Sequence, residues 1–260
     1  MTKRLLVGAG LLLLLFWGIE ASAWAQAPAP GPHRQFLPLA FPAPASCAPA
    51  GEARFDALPV NPPPSDRPAA QHPDLNLSLR GYRNGGGALT YIWIDGPADP
   101  RAPQLTTLFS PPRRPDIRAV GQVYDWDWTQ NQRGPAITAP PVTLLSVDAA
   151  AGELLRLPDS GYDIGQGYEA LTLYAEPHRI TLKYTREDNV VWGYTLHLEN
   201  ICVDPNLLAL YNDLNARGRG QLPALRPGQA FARALASPPA IVIRDNGSFM
   251  DPRSLKDWWR

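Results

Sequence analysis

The 260-residue chain is poor in the residues that soluble enzymes most often use for chemistry. It has two cysteines, Cys47 and Cys202, and four histidines, His33, His72, His178 and His197. No two histidines stand two or four apart, so the close spacing that presents imidazoles together to a metal is missing. There is no Gly-x-Ser-x-Gly elbow and no Gly-rich phosphate loop following a strand, which removes the common signatures of serine hydrolases and nucleotide binders. Charge of one sign is also lacking. Lys+Arg and Asp+Glu both number 24, for a formal net charge of zero. Without a basic excess or polybasic run, neither nucleic acid nor an anionic membrane surface is an expected partner.

Long apolar runs are confined to the start. Lys3 and Arg4 precede an apolar run from Leu5 to Ile19, followed by small-residue pairs at Ala21, Ala23 and Ala25. This pattern reads as a secretory signal peptide over residues 1–25. The run is shorter than the roughly 20 residues of a spanning helix, so no stable span is expected after cleavage. The mature chain is then expected to be secreted or extracytoplasmic, in the periplasm or at the cell surface. In such a compartment one Cys47–Cys202 disulfide is the default expectation, with two unpaired buried thiols as the alternative.

Proline is abundant, and it organises the first third of the chain. Twelve prolines lie between Ala27 and Pro68. Residues 26–73 therefore read as a Pro/Ala-rich arm or linker, since proline removes backbone donors and favours extended chain. Residues 74–260 read as a single mainly β domain of the barrel or sandwich type. Short β-branched, aromatic and leucine-rich segments at 75–79, 88–94, 105–109, 119–128, 141–148 and 153–157 are separated by Gly and Pro turns. The strongest order lies at 169–205. Ile180, Leu182 and Tyr184 alternate with Thr181, Lys183 and Thr185; after the polar tetrad 186–189 the alternation resumes through Val190, Trp192, Tyr194, Leu196 and Leu198. His197 falls on the opposite face, with Thr195 and Glu199. Two helices begin at Asp-Pro. Asp204 caps one running to about 216, with Leu207, Leu208, Tyr211 and Leu214 as its apolar stripe, and Asp251 starts a short terminal one.

The last hundred residues resemble the lysostaphin-type (LytM-like) zinc endopeptidases that cut peptidoglycan. The words that carry this are the strand 180–185, the turn, then Tyr194-Thr195-Leu196-His197-Leu198, one residue longer between Tyr and His than the family's Tyr-x-His-Leu. Pro227-Gly228-Gln229 is similar to its Gly-Gln segment, and Arg244, Asn246-Gly247 and Asp251-Pro252 to its closing turn. The likeness covers about residues 141–255. Laying Arg244 on the family arginine puts Pro238 and Ala240 at the two His-x-His positions, where neither can bind zinc. Upstream, only Asp127 could stand for the family's His–Asp pair, and the helix at 204–216 is an insertion. The resemblance thus implies the fold with its metal site removed, no resident cofactor, and a peptidoglycan-type ligand.

Two groups of residues remain as site candidates. His197 with Glu199 is a possible acid–base pair, and an alternative reading makes the chain a cell-wall hydrolase using these and nearby carboxylates, with zinc only in that case. Tyr124-Asp125-Trp126-Asp127-Trp128 is the other. In a strand the two Trp residues share one face and the two Asp residues the other, a layout suited to stacking sugar rings and accepting their hydroxyls. Against it stands the reading of both Trp residues as core. The leading expectation is an exported, non-catalytic binding or envelope-associated protein for glycan or peptidoglycan.

Overall fold

A computed structural model describes residues 47–51 and 54–260. The expected signal peptide, 1–25, and residues 26–46 of the Pro-rich stretch lie outside the described residues. In chain order the elements are β1 (Asp56–Pro59), α1 (Leu77–Arg80), β2 (Tyr82–Asn84), β3 (Ile117–Asp127), β4 (Gln132–Ala136), β5 (Leu144–Val147) and β6 (Leu154–Arg156). They continue with β7 (Ala170–Glu176), β8 (Arg179–Lys183), β9 (Tyr194–Glu199), β10 (Ile201–Val203) and α2 (Pro205–Ala216). The chain closes with β11 (Gln221–Leu225), β12 (Ala230–Ala234), β13 (Ala240–Asp245), β14 (Ser248–Phe249) and α3 (Leu255–Trp258). The mainly β expectation holds. An 11-stranded sheet runs β1-β11-β7-β8-β9-β13-β5-β3-β2, with β14 on β13 and β4 on β3, and β10-β12-β6 form a second, 3-stranded sheet.

The β8–β9 hairpin sits at the centre of the large sheet; the alternation noted above sorts its two faces, while the connection runs from 184 to 193 and not over 186–189 alone. Thr181 faces His197 and Lys183 faces Thr195 across the hairpin. On the other side of β9, Val242 faces His197 and Arg244 faces Thr195. Ile180, Leu182, Leu196, Leu198, Ile241 and Ile243 project into the main core, to which Leu207 and Tyr211 of α2, packed on β11 and β7, also belong. Each such leucine or isoleucine gains about 1.5–3 kcal/mol on leaving water, and a one-residue slip would exchange all of them with the polar His197 face.

The opposite face is covered as well. Ala240 and Val242 of β13 pack with Leu77 of α1, Val123, Leu144 and Phe249 in a smaller apolar cluster. All six residues of β9 are buried. A part of the chain whose composition suggested an arm also joins the sheet. Asp56–Pro59 pairs antiparallel with Gln221–Ala224 as an edge strand, where proline costs least. Asn61 bonds Glu187, and Ser65 N donates to Asp188 at 3.0 Å. The folded body therefore begins well before Asp74.

Helix α2 is as the sequence reads. Asp204 accepts from the amides of Asn206 and Leu207, Pro205 stands at the first position, and Leu207, Tyr211 and Leu214 are buried. Other segments differ. Residues 75–79 were read as a strand but contribute to α1, because the Asn76 side chain accepts from Ser78 N and caps a helical turn. Residues 105–109 enter a 3₁₀ turn, Leu105–Leu108. Residues 88–94 hold a single bridge, Ile92 to Ser254. The alternation at 190–193 does not make strand either. Gly193 adopts φ +62°, and a Cβ there would meet Thr185 Cγ2 at 2.7 Å, so β9 begins only at Tyr194. Trp258 and Trp259 are buried, donating through Nε1 to the carbonyls of Asp251 and Pro252. Cys47 and Cys202 form a disulfide. Among the described residues no helix is long and apolar enough to cross a membrane.

Candidate functional site

His197 lies in the middle of the buried second face. Its Nδ1 is 2.9 Å from Thr181 Oγ1, while that hydroxyl donates to the Leu75 carbonyl at 2.7 Å. The hydroxyl proton is thus committed to Leu75, so Nδ1 carries the hydrogen and Nε2 holds a lone pair with no protein partner. Burial, reinforced by the Arg244 guanidinium, pushes the imidazole down to about 3. It is neutral across the physiological range.

Glu199 shares the strand face but turns elsewhere. Its carboxylate accepts from Arg179 Nε at 3.0 and 3.2 Å, and burial raises its affinity for a proton. The two residues that alternation placed together therefore serve different partners. Beside His197 the cluster is completed by an ion network. Asp74 Oδ1 accepts from Arg80 and from Arg244, each at 2.7 Å. Burial alone would raise the Asp74 carboxyl, but the two guanidinium groups outweigh it and hold it at about 2. Lys183 is fully buried on the same face, and desolvation lowers it to about 8.

The Tyr124–Trp128 word is split by its own backbone. A bulge interrupts the β3–β4 register between Tyr124 and Trp126, and β3 stops at Asp127. Tyr124 carries the Arg133 guanidinium 5.1 Å from its ring centre. Asp125 accepts from Trp126 N at 2.8 Å and lies 3.4 Å from Arg80 Nη1. Asp127 accepts from Thr129 N and Gln130 N, closing the turn that follows. Trp126 is partly buried against β4, and Trp128 lies beyond the strand end. The shared Trp face expected from strand periodicity is therefore not formed.

Trp128 nevertheless borders a pocket. A hollow of about 310 Å³ is lined by Trp128, Asp66, Arg67, His72, Asp74 and the Asp188–Val191 loop. Trp128 remains 48% exposed. His72 meets its ring edge-on at 5.7 Å, and the Arg67 guanidinium stands 5.3 Å from its centre. Burial lowers the His72 imidazole against the pull of Asp74 and Asp66. The walls are fixed from behind. Asp188 is buried in a two-pronged ion pair with Arg219, at 2.5 and 2.7 Å, and Asn189 turns back to accept from Val191 N. Asp66, Arg67 and His72 were missed as site residues because they stand inside the Pro-rich stretch; only His72 carried a chemical signal of its own.

A second hollow, of about 410 Å³, lies beside Tyr194 and Trp258 and is rich in aspartate. Asp99 accepts from the Tyr194 hydroxyl at 3.0 Å, Asp257 is held by Ser254 and Lys256, and Asp251 by Arg253. Those carboxylates are already neutralised or bonded. No family model, curated protein or solved structure matches this chain.

Proposed function

We propose that the chain is an exported, non-catalytic binding module whose Trp128 pocket takes up cell-wall glycan or peptidoglycan. The carrying observation is a half-exposed indole at the mouth of a preformed pocket, with carboxylate, imidazole, guanidinium and amide groups within its lining. The apolar side of a sugar ring stacks on such an indole, while Asp66, Asp74, Asn189 and His72 offer partners to its hydroxyls. The volume falls at the lower end of the roughly 300–1,000 Å³ range of small-ligand sites, which suits one or two sugar units. The disulfide accords with an oxidising compartment, and the sequence supplies a leader for reaching it.

The lysostaphin-type likeness contributes the ligand class. In support, three of the words that carry it, at 180–185, 194–198 and Arg244, fall on or beside the adjacent strands β8, β9 and β13. Ala240 is buried in β13, where the family would hold a zinc histidine. The catalytic alternative draws little support, because His197, Glu199, Asp125 and Asp127 are each engaged by a separate partner.

Titration calorimetry with soluble peptidoglycan fragments, comparing wild type with Trp128→Ala, tests the reading. We expect saturable binding that the substitution removes. Equal affinity of the two proteins, or no heat with any fragment, would contradict it.

A further inference from the structure

We propose that Cys47, Cys202 and His178 form a redox-gated site for a soft d10 cation, closed while the disulfide is intact and opened by its reduction. The two sulfurs and one imidazole nitrogen lie within 4.8 Å of one another. In the bonded form the sulfurs have no thiolate to offer, so the arrangement serves as a covalent staple. Once reduced, it presents two thiolates and an imidazole, a donor set that favours zinc(II) with water in the open fourth position, or three-coordinate copper(I).

The geometry does not depend on the disulfide to hold it. Cys202 lies in β10 between two backbone bonds, Ile201 N to the His178 carbonyl at 3.3 Å and Val203 N to the Pro177 carbonyl at 3.0 Å. The turn that carries His178 is thereby fixed to the strand that carries Cys202. The Cys47 side is anchored separately. Ala50 N donates to Asp204 Oδ2 at 2.5 Å, and Arg233 Nε donates to the Pro49 carbonyl at 2.9 Å. Arg233 is in turn the β12 partner of Cys202. Reduction therefore leaves both thiols and the imidazole side by side.

A backbone hydrogen bond sets the tautomer of the histidine. His178 Nδ1 is 3.2 Å from the Ile201 carbonyl oxygen. A carbonyl only accepts, so Nδ1 carries the hydrogen and Nε2 is the lone-pair nitrogen, the arrangement by which outer partners set the tautomer of a metal-bound histidine. Cys47 and His178 are both partly exposed, so a reductant and an ion have access.

The chemistry balances as a thiol–disulfide exchange. A dithiol, small or protein-borne, transfers two electrons and two protons to the Cys47–Cys202 bond and itself becomes a disulfide. Binding of the cation then releases the two thiol protons to solvent. The outcome exchanges a covalent cross-link for a metal cross-link at the same point, keeping the chain after residue 46 tied to β10. This site is independent of the Trp128 pocket and of the glycan reading.

The test uses the full chain, reduced anaerobically with a phosphine that takes oxygen from water, then titrated with zinc(II) or copper(I) against a coloured competing chelator. We expect one equivalent of at least one ion per reduced chain, none per oxidised chain, and two protons released per ion bound. His178→Ala should weaken binding by more than the roughly 10–100-fold that loss of a mere supporting partner costs. The oxidised His178→Ala protein keeps its disulfide and serves as the folding control. The bound ion should also restore melting temperature lost on reduction. Failure of the reduced wild type to bind either ion, or unchanged affinity in His178→Ala, would overturn the proposal.

Discussion

Two histidines flank the same carboxylate and illustrate how burial decides what a side chain does. Asp74 acts electrostatically on both His72 and His197. His197 is sealed within the sheet, bonded to Thr181 and faced by Arg244, and is held neutral. His72 lines an open pocket against the edge of a half-exposed tryptophan. One cluster is sealed from solvent with some of its polar atoms unpaired; the other stands open to a visitor. The difference lies in the covering segment 56–80, which closes the sheet face and at the same time supplies a wall of the pocket.

The comparison breaks most readily at Asp74. Asp74→Ala leaves Arg80 and Arg244 buried without their shared carboxylate, and an uncompensated buried charge costs about 3–5 kcal/mol in denaturant unfolding. A loss below about 1 kcal/mol would mean that the network is wetter than its geometry implies.

Acid should then separate the two histidines. Between pH 6.5 and about 3 the unfolded chain protonates His197 while the folded chain does not, so folding stability falls as pH falls through this window. The slope is at most about 1.4 kcal/mol per pH unit from this group. Asp74 adds a term of the same sign between 3.8 and about 2. Glu169, raised by burial to about 7, acts in the opposite direction, its stabilising contribution being present below 4.5 and lost as pH rises to 7. The difference between wild type and His197→Gln isolates the histidine. We expect the variant's stability to depend less on pH between 6.5 and 3; His72→Gln should act in the same direction but more weakly, since its imidazole is lowered less.

At the pocket the effects move from stability to binding. Trp128→Ala should change unfolding free energy by less than about 1 kcal/mol, since the ring is half exposed, yet weaken glycan binding by about 2 kcal/mol or more if it is the anchor. The smallest effect is expected at His72. His72→Gln keeps a hydrogen-bonding group beside Trp128, and isothermal titration should register an affinity loss of less than tenfold, about 1.4 kcal/mol.

Much of the framework is legible in the residues themselves. The faces of β8 and β9 follow from strict alternation, α2 from an Asp-Pro start and an apolar stripe, and the disulfide from two cysteines in a chain expected to be exported. What hides is the docking of the Pro-rich stretch at the sheet edge and beside the 186–188 loop. Its residues are rich in proline and poor in periodic apolar positions, so β1 and the 61–73 segment look like linker until partners from β11 and the 186–188 loop are present. The same gap concealed the pocket, whose histidine, arginine and aspartate come from that stretch. The Tyr124–Trp128 word contains one residue that borders the pocket, Trp128, but strand periodicity cannot foresee that β3 ends at Asp127 and that a turn carries Trp128 away from Trp126.

The most direct measurement is co-sedimentation of the protein with purified insoluble peptidoglycan, with soluble fragments assayed in the same supernatant. The account predicts that wild type and His197→Gln both pellet, that Trp128→Ala stays in solution, and that no fragments appear. Fragments released by wild type and lost in His197→Gln would contradict it and establish an enzyme, and pelleting of Trp128→Ala equal to wild type would remove the pocket as the binding site.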